Sequence, residues 1–169
     1  VCVSGCLAHL FLRGYPEPLT LERVRELCPG LVPGLLAHPG VGFALARLST
    51  GQVVAMSETG VRNLDTGEVV DHDPLRPYGE PSFWSPELAR LARGANSGDL
   101  ILNGTWLADQ ARVVVFEEQT SSHGGLGGPQ TMPFAMVPAA WNVKLGALDG
   151  PESVFRLLSK QRPGGVKNP

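Results

Sequence analysis

The sequence predicts a mixed α/β fold: a sheet flanked by helices, with a small antiparallel hairpin insertion. Three observations carry this expectation. Apolar runs rich in Val, Leu, Ile and Phe recur at Val1–Leu12, Val41–Leu48, Asp99–Asn103 and Arg112–Phe116. Helical spacing of apolar residues occurs at Leu21, Val24, Leu27 and Cys28, and again at Val154, Phe155, Leu157 and Leu158. The 21 glycines and 15 prolines of the 169-residue chain fall mostly between these runs. They make up about a fifth of the residues, short of the ~25–30% that marks low-complexity disorder.

Each element has a local reason. Val1 to Leu12 reads as one buried strand, followed by a loop at Tyr15-Pro16-Glu17-Pro18. Thr20 is a cap for the first helix, and Pro29-Gly30 stops it. Leu31 to His38 is a short second helix ended by Pro39-Gly40. From Val41 the period changes to two. Runs at 41–48, 52–57, 60–64 and 68–70 are separated by Ser49-Thr50-Gly51, Ser57-Glu58-Thr59-Gly60 and Asp65-Thr66-Gly67, which is hairpin chemistry for an antiparallel meander. After a Pro-rich loop, Ser85-Pro86-Glu87 supplies an N-cap, an N1 proline and a first-turn acid for a helix to about Arg93, with Gly94 ending it. Apolar strands at 99–103 and 112–116 precede a glycine-rich loop, a short strand at Phe134–Val137, and an amphipathic helix at 151–160 whose apolar residues face inward. Residues 161–169 form a flexible tail, and the insertion occupies approximately 41–82.

Composition also excludes. A net charge of −2 leaves no basic stripe for a nucleic acid. The long uncharged runs 27–46 and 119–143 are each broken by three prolines, so neither is a membrane helix. Cys2, Cys6 and Cys28 are odd in number and sparse, which argues for free thiols over a disulfide framework. On a single strand, His9 points away from Cys2 and Cys6, against a zinc shell. Asp71-His72-Asp73 reads as a solvated turn, His9 and His38 as core or turn residues, and Trp84, Trp106 and Trp141 as core aromatics. The chain opens at Val1 in an apolar run, and we expect it to continue a longer protein.

The informative segment is 116–131. It places His123 after a strand, in a loop where Gly124, Gly125, Gly127 and Gly128 permit close backbone approach. His123-Gly124-Gly125 is similar to the oxyanion loop of lipases, yet the chain has no G-x-S-x-G, no G-x-G-x-x-G and no Walker A run. Glu117-Glu118 could supply a carboxylate that orients His123, and Glu118, Ser121 and Ser122 are the candidates to accept a hydrogen bond from its ring. The alternative is a non-catalytic binding or scaffold domain that uses loop 124–128 for an anion or a partner.

These pieces together resemble a family. They are Ser4-Gly5 with Leu7-Ala8-His9-Leu10, His38-Pro39-Gly40-Val41-Gly42-Phe43, Asp73-Pro74-Leu75 and Gly98-Asp99-Leu100. Phe116-Glu117-Glu118, Ser122-His123-Gly124-Gly125-Leu126-Gly127-Gly128, Gln130-Thr131 and Pro133-Phe134 complete them. Over roughly Val3 to Pro138 the chain resembles the C-terminal part of bacterial alkaline-phosphatase-superfamily proteins of the type I phosphodiesterase/nucleotide pyrophosphatase kind. Some of those proteins carry a membrane-embedded, holin-like region upstream. Cys6 stands where the family pattern has Asn.

The resemblance implies a partial alkaline-phosphatase-like sheet over 1–160. It implies a small-molecule phosphate ester as substrate and two divalent cations, usually zinc, as cofactors. It makes His123 a metal ligand and places the nucleophile and the other ligands upstream of Val1. The 169 residues alone are then inactive, with any membrane contact made through upstream segments.

Overall fold

The computed structural model describes residues 1–118, 123–132, 134–143 and 150–161. The chain forms two compact units, residues 1–132 and 133–169. Unit 1 holds β1 (Cys2–Ser4), β2 (Leu7–Leu10), α1 (Leu21–Leu27), α2 (Leu31–Leu36), β3 (Val41–Arg47), β4 (Val53–Ser57), β5 (Gly60–Asn63) and β6 (Val69–Asp71). It continues with α3 (Pro81–Ala92), β7 (Leu100–Gly104), β8 (Trp106–Leu107) and β9 (Arg112–Val113). Seven strands make one antiparallel sheet in the order β1-β2-β7-β3-β4-β5-β6, and β8 and β9 form a separate small hairpin. The fold is α/β, as the sequence predicts.

Alternation along the central strands assigns the two faces. Phe43, Leu45, Val53, Ala55 and Ile101 point to one side, where Leu88, Ala89 and Ala92 of α3 cover them with Leu75, Tyr78 and Leu126. Ala44, Ala46, Val54, Met56, Leu100 and Leu102 point to the other, beneath Leu21 and Val24 of α1 and Val32 of α2. Because both faces are covered, these strands read as nearly continuous apolar runs. The meander expected from residue 41 is present and continuous with the main sheet.

Several boundaries differ from expectation, each for a local reason. Val1 to Leu12 is a hairpin and not one strand, because Gly5 takes φ +60° and turns the chain. The pairing sets Cys2 opposite His9, so that histidine does not point away from it. Its Nδ1 accepts instead from Gly98 N–H at 3.0 Å, and burial lowers its pKa. Helix α3 starts at Pro81, with Glu80 as N-cap accepting from Ser82 N–H, and carries Pro86 inside it. Thr20 does cap α1.

Unit 2 contains α4 (Gly150–Gln161). The strand expected at 134–137 is absent, and Phe134 and Met136 are exposed. Val154, Phe155 and Leu158 of α4 are also exposed rather than inward. Among the described residues, no helix is long and apolar enough to cross a membrane. The residue 161 end of α4 is helical, and 162–169 lies outside the described residues.

Candidate functional site

The site is built where β7 ends. Asn103 continues the face that carries Ile101, but its side chain is polar and only 1% exposed. A buried amide needs partners, and Asn103 finds them in the glycine loop. Its Oδ1 accepts from Leu126 N–H at 2.6 Å, and its Nδ2 donates to Leu126 O at 3.0 Å and Gly104 O at 2.9 Å. This pair of bonds pins Leu126, which is buried against the core.

Cys6, in the β1–β2 turn, makes the second anchor. Its backbone N–H donates to His123 O at 3.2 Å, and its carbonyl accepts from Gly104 N–H at 2.8 Å. The thiol donates to Gly124 O at 2.8 Å and accepts from Gln130 Nε2 at 3.1 Å. The Cys6 side chain is therefore in polar service. Cys6 is fully buried, Cys28 half-buried and Cys2 exposed, all as free thiols.

The glycines follow from this close docking. Gly125 has φ +60°, and a Cβ there would lie 2.4 Å from Asn103 Oδ1 and 2.9 Å from Cys6 Sγ. At Gly124, φ +72°, a Cβ would meet Ser4 O at 2.6 Å. Tyr78 closes the floor of the site: its hydroxyl donates to Gly104 O at 2.8 Å, and burial pushes its pKa up to about 12.

His123 itself is exposed, yet held. Its carbonyl is bound by Cys6, and its Nδ1 lies 3.1 Å from Ser4 Oγ. Among the described residues no partner takes Nε2. Ser4, 119 residues away, is not among the acceptors expected from sequence. Ser121 and Ser122 lie outside the described residues, and Glu118 is exposed. The acid that joins the network is Glu117, whose Oε1 accepts from Gly5 N–H at 2.7 Å, while Gly5 O accepts from Phe116 N–H at 2.9 Å.

Of the turn expected to be solvated, Asp71 and His72 are exposed, but Asp73 is not: it pairs with Arg62 at 2.6 Å, both side chains largely buried, and accepts from Leu75 N–H. His38 Nδ1 accepts from Gly40 N–H at 3.0 Å. Trp84 and Trp106 pack, partly buried, against the core.

An imidazole with one nitrogen tethered and no partner at the other among the described residues suits a metal ligand. Among the described residues, however, no three His, Cys, Asp or Glu side chains gather into a metal shell. Comparison with known protein families, curated proteins and solved structures returned no match.

Proposed function

We propose that the chain is the C-terminal portion of a metal-dependent phosphoric ester hydrolase, in which His123 supplies one ligand to a divalent cation. The observation that supports this most is the treatment of His123: a clamped backbone and a tethered Nδ1, with no partner at Nε2 among the described residues. Such rigidity has a cost in glycine conformations that an incidental surface histidine does not require. The resemblance centred on 122–128 gives the reading its chemistry. When bound, a pair of divalent cations would activate a nucleophile and stabilise charge on the phosphoryl group.

A catalytic zinc takes about three protein ligands, so His123 alone does not hold one. In this reading the remaining ligands and the nucleophile lie upstream, and the 169 residues by themselves hydrolyse no phosphodiester. An anion-binding role for loop 124–128 has less support. Leu126 N–H is already committed to Asn103, and the loop turns its carbonyls toward Cys6.

The test is to express the full upstream reading frame and assay it on a chromogenic phosphodiester with zinc. We expect His123→Ala to lower kcat/KM by at least about 100-fold, more than the loss of an outer-shell partner. Undiminished turnover in that variant, or metal-dependent turnover by the 169 residues alone, would overturn the proposal.

A further inference from the structure

We infer that Ser4 is a positioning residue for His123, its hydroxyl oxygen accepting from Nδ1–H so that the Nε2 lone pair faces the open side. The inference rests on the reading of Nε2 as a ligand atom. It adds the residue that selects the tautomer.

The geometry supports a built contact. The two residues are 119 positions apart, and their backbones are locked together on both sides. Cys6 N–H holds His123 O, Phe116 N–H holds Gly5 O, and Glu117 Oε1 holds Gly5 N–H. Gly5 sits between Ser4 and Cys6 with no room for a side chain, since a Cβ there would lie 2.0 Å from His123 O. That approach brings the end of β1 against the imidazole, where Ser4 Oγ reaches Nδ1 at 3.1 Å.

The clamp on the carbonyl fixes where the ring starts. It does not fix which nitrogen is protonated. A histidine left to itself favours the Nε2–H form, which has no lone pair at Nε2 to give. An acceptor at Nδ1 opposes that preference; a hydroxyl can donate or accept there, and in this inference Ser4 takes the accepting role. Ser4 is half-buried and ends an edge strand, so its position is set by pairing Ser4↔Leu7 and not by local chain mobility.

The direct test is the 15N spectrum of the His123 ring in the 169-residue chain, in alkaline buffer where histidines are neutral. We expect the wild type to show Nδ1–H. Ser4→Ala should revert to a predominantly Nε2–H pattern, and Ser4→Thr should restore Nδ1–H. The amide signals of Cys6 and Leu126 report whether the loop stays docked. If Ser4→Ala releases it, Ser4→Cys, close in volume and a weak acceptor, takes its place. An Nε2–H signature in the wild type would overturn the inference. So would an unchanged tautomer in the docked variant.

Metal content of the longer protein separates this from the functional reading. A pinned tautomer with full metal retention in His123→Ala removes the ligand role and leaves the Ser4 contact standing. Loss of metal in His123→Ala, with a tautomer indifferent to Ser4, does the reverse. If both hold, Ser4→Ala weakens zinc affinity by about 10- to 100-fold.

Discussion

The two ends of β7 solve the same problem with different consequences. At its start, Asp99 is 4% exposed, and its oxygens accept from Leu12 N–H at 2.6 Å and Leu19 N–H at 2.7 Å. They tie down the loop that leads into α1. Arg47 beside it donates to Ala92 O and, at 2.9 Å, to Gly98 O. At the other end, Asn103 ties down the glycine loop in the same manner. Both anchors are buried polar side chains that hold backbone groups. The Asp99 end spends its polar atoms on structure, although a cavity of about 340 Å³ lined by Phe11, Tyr15, Asn96 and Asp99 opens there. The Asn103 end instead presents an exposed imidazole whose Nε2 has no partner among the described residues. The proposed function therefore rests on the hydrogen-bond inventory around His123 and not on concavity.

Breaking the anchors should show the contrast most strongly. Asp99→Ala orphans two half-buried N–H groups bonded to its buried side chain, and we expect a loss of about 3–5 kcal/mol in urea unfolding. Asn103→Ala orphans the N–H and C=O of Leu126 and should cost about 2–4 kcal/mol. Only the Asn103 variant should shift the signals of the His123 ring. A cost below about 1 kcal/mol for either would mean that water replaces the anchor.

Glycine substitutions sharpen the same comparison at smaller magnitude. Gly125→Ala meets both a left-handed φ and the Asn103 amide, and should cost about 2–3 kcal/mol. Gly51→Ala, at φ +84° with open space around it, meets only the backbone cost of about 1 kcal/mol. Equal effects in thermal unfolding would contradict the close docking of the loop.

An effect confined to alkaline pH belongs to Tyr78, beneath the Asn103 end. Burial pushes its folded pKa up to about 12, above the ordinary tyrosine value of 10.0. Above pH 10 the unfolded chain therefore gives up the proton more readily than the native one. Its contribution is complete below that pH and is lost as pH rises toward 12. Tyr78→Phe should flatten the fall in stability over this window, amounting to about 2 kcal/mol in the wild type.

The legible part of the molecule was local. Apolar runs at 41–48 and 52–57 bounded by turn residues marked the strands of the meander, and Thr20 marked the start of α1. His123 and its glycines stood out because a run of small residues has no reason to surround a core position. The rest depended on contacts that leave no local trace. A single glycine inside an apolar run hid the β1–β2 turn, and with it the residue that meets Nδ1. Glu80-Pro81 and Ser85-Pro86 offer the same cap signal, and the core position of Leu88 and Ala89 accommodates the longer helix. The apolar face of α4 predicted burial by periodicity, which states what a face prefers and not what lies against it.

The central claim is that His123 offers a ligand nitrogen to a divalent cation. Its most direct test is the zinc stoichiometry of the protein expressed from the full upstream reading frame, wild type beside His123→Ala, after metal stripping and reloading. The account predicts about two zinc ions in the wild type, as expected for a two-metal site, and loss of at least one in the variant. Equal stoichiometry in the two proteins, with the loop docked in both, would contradict it.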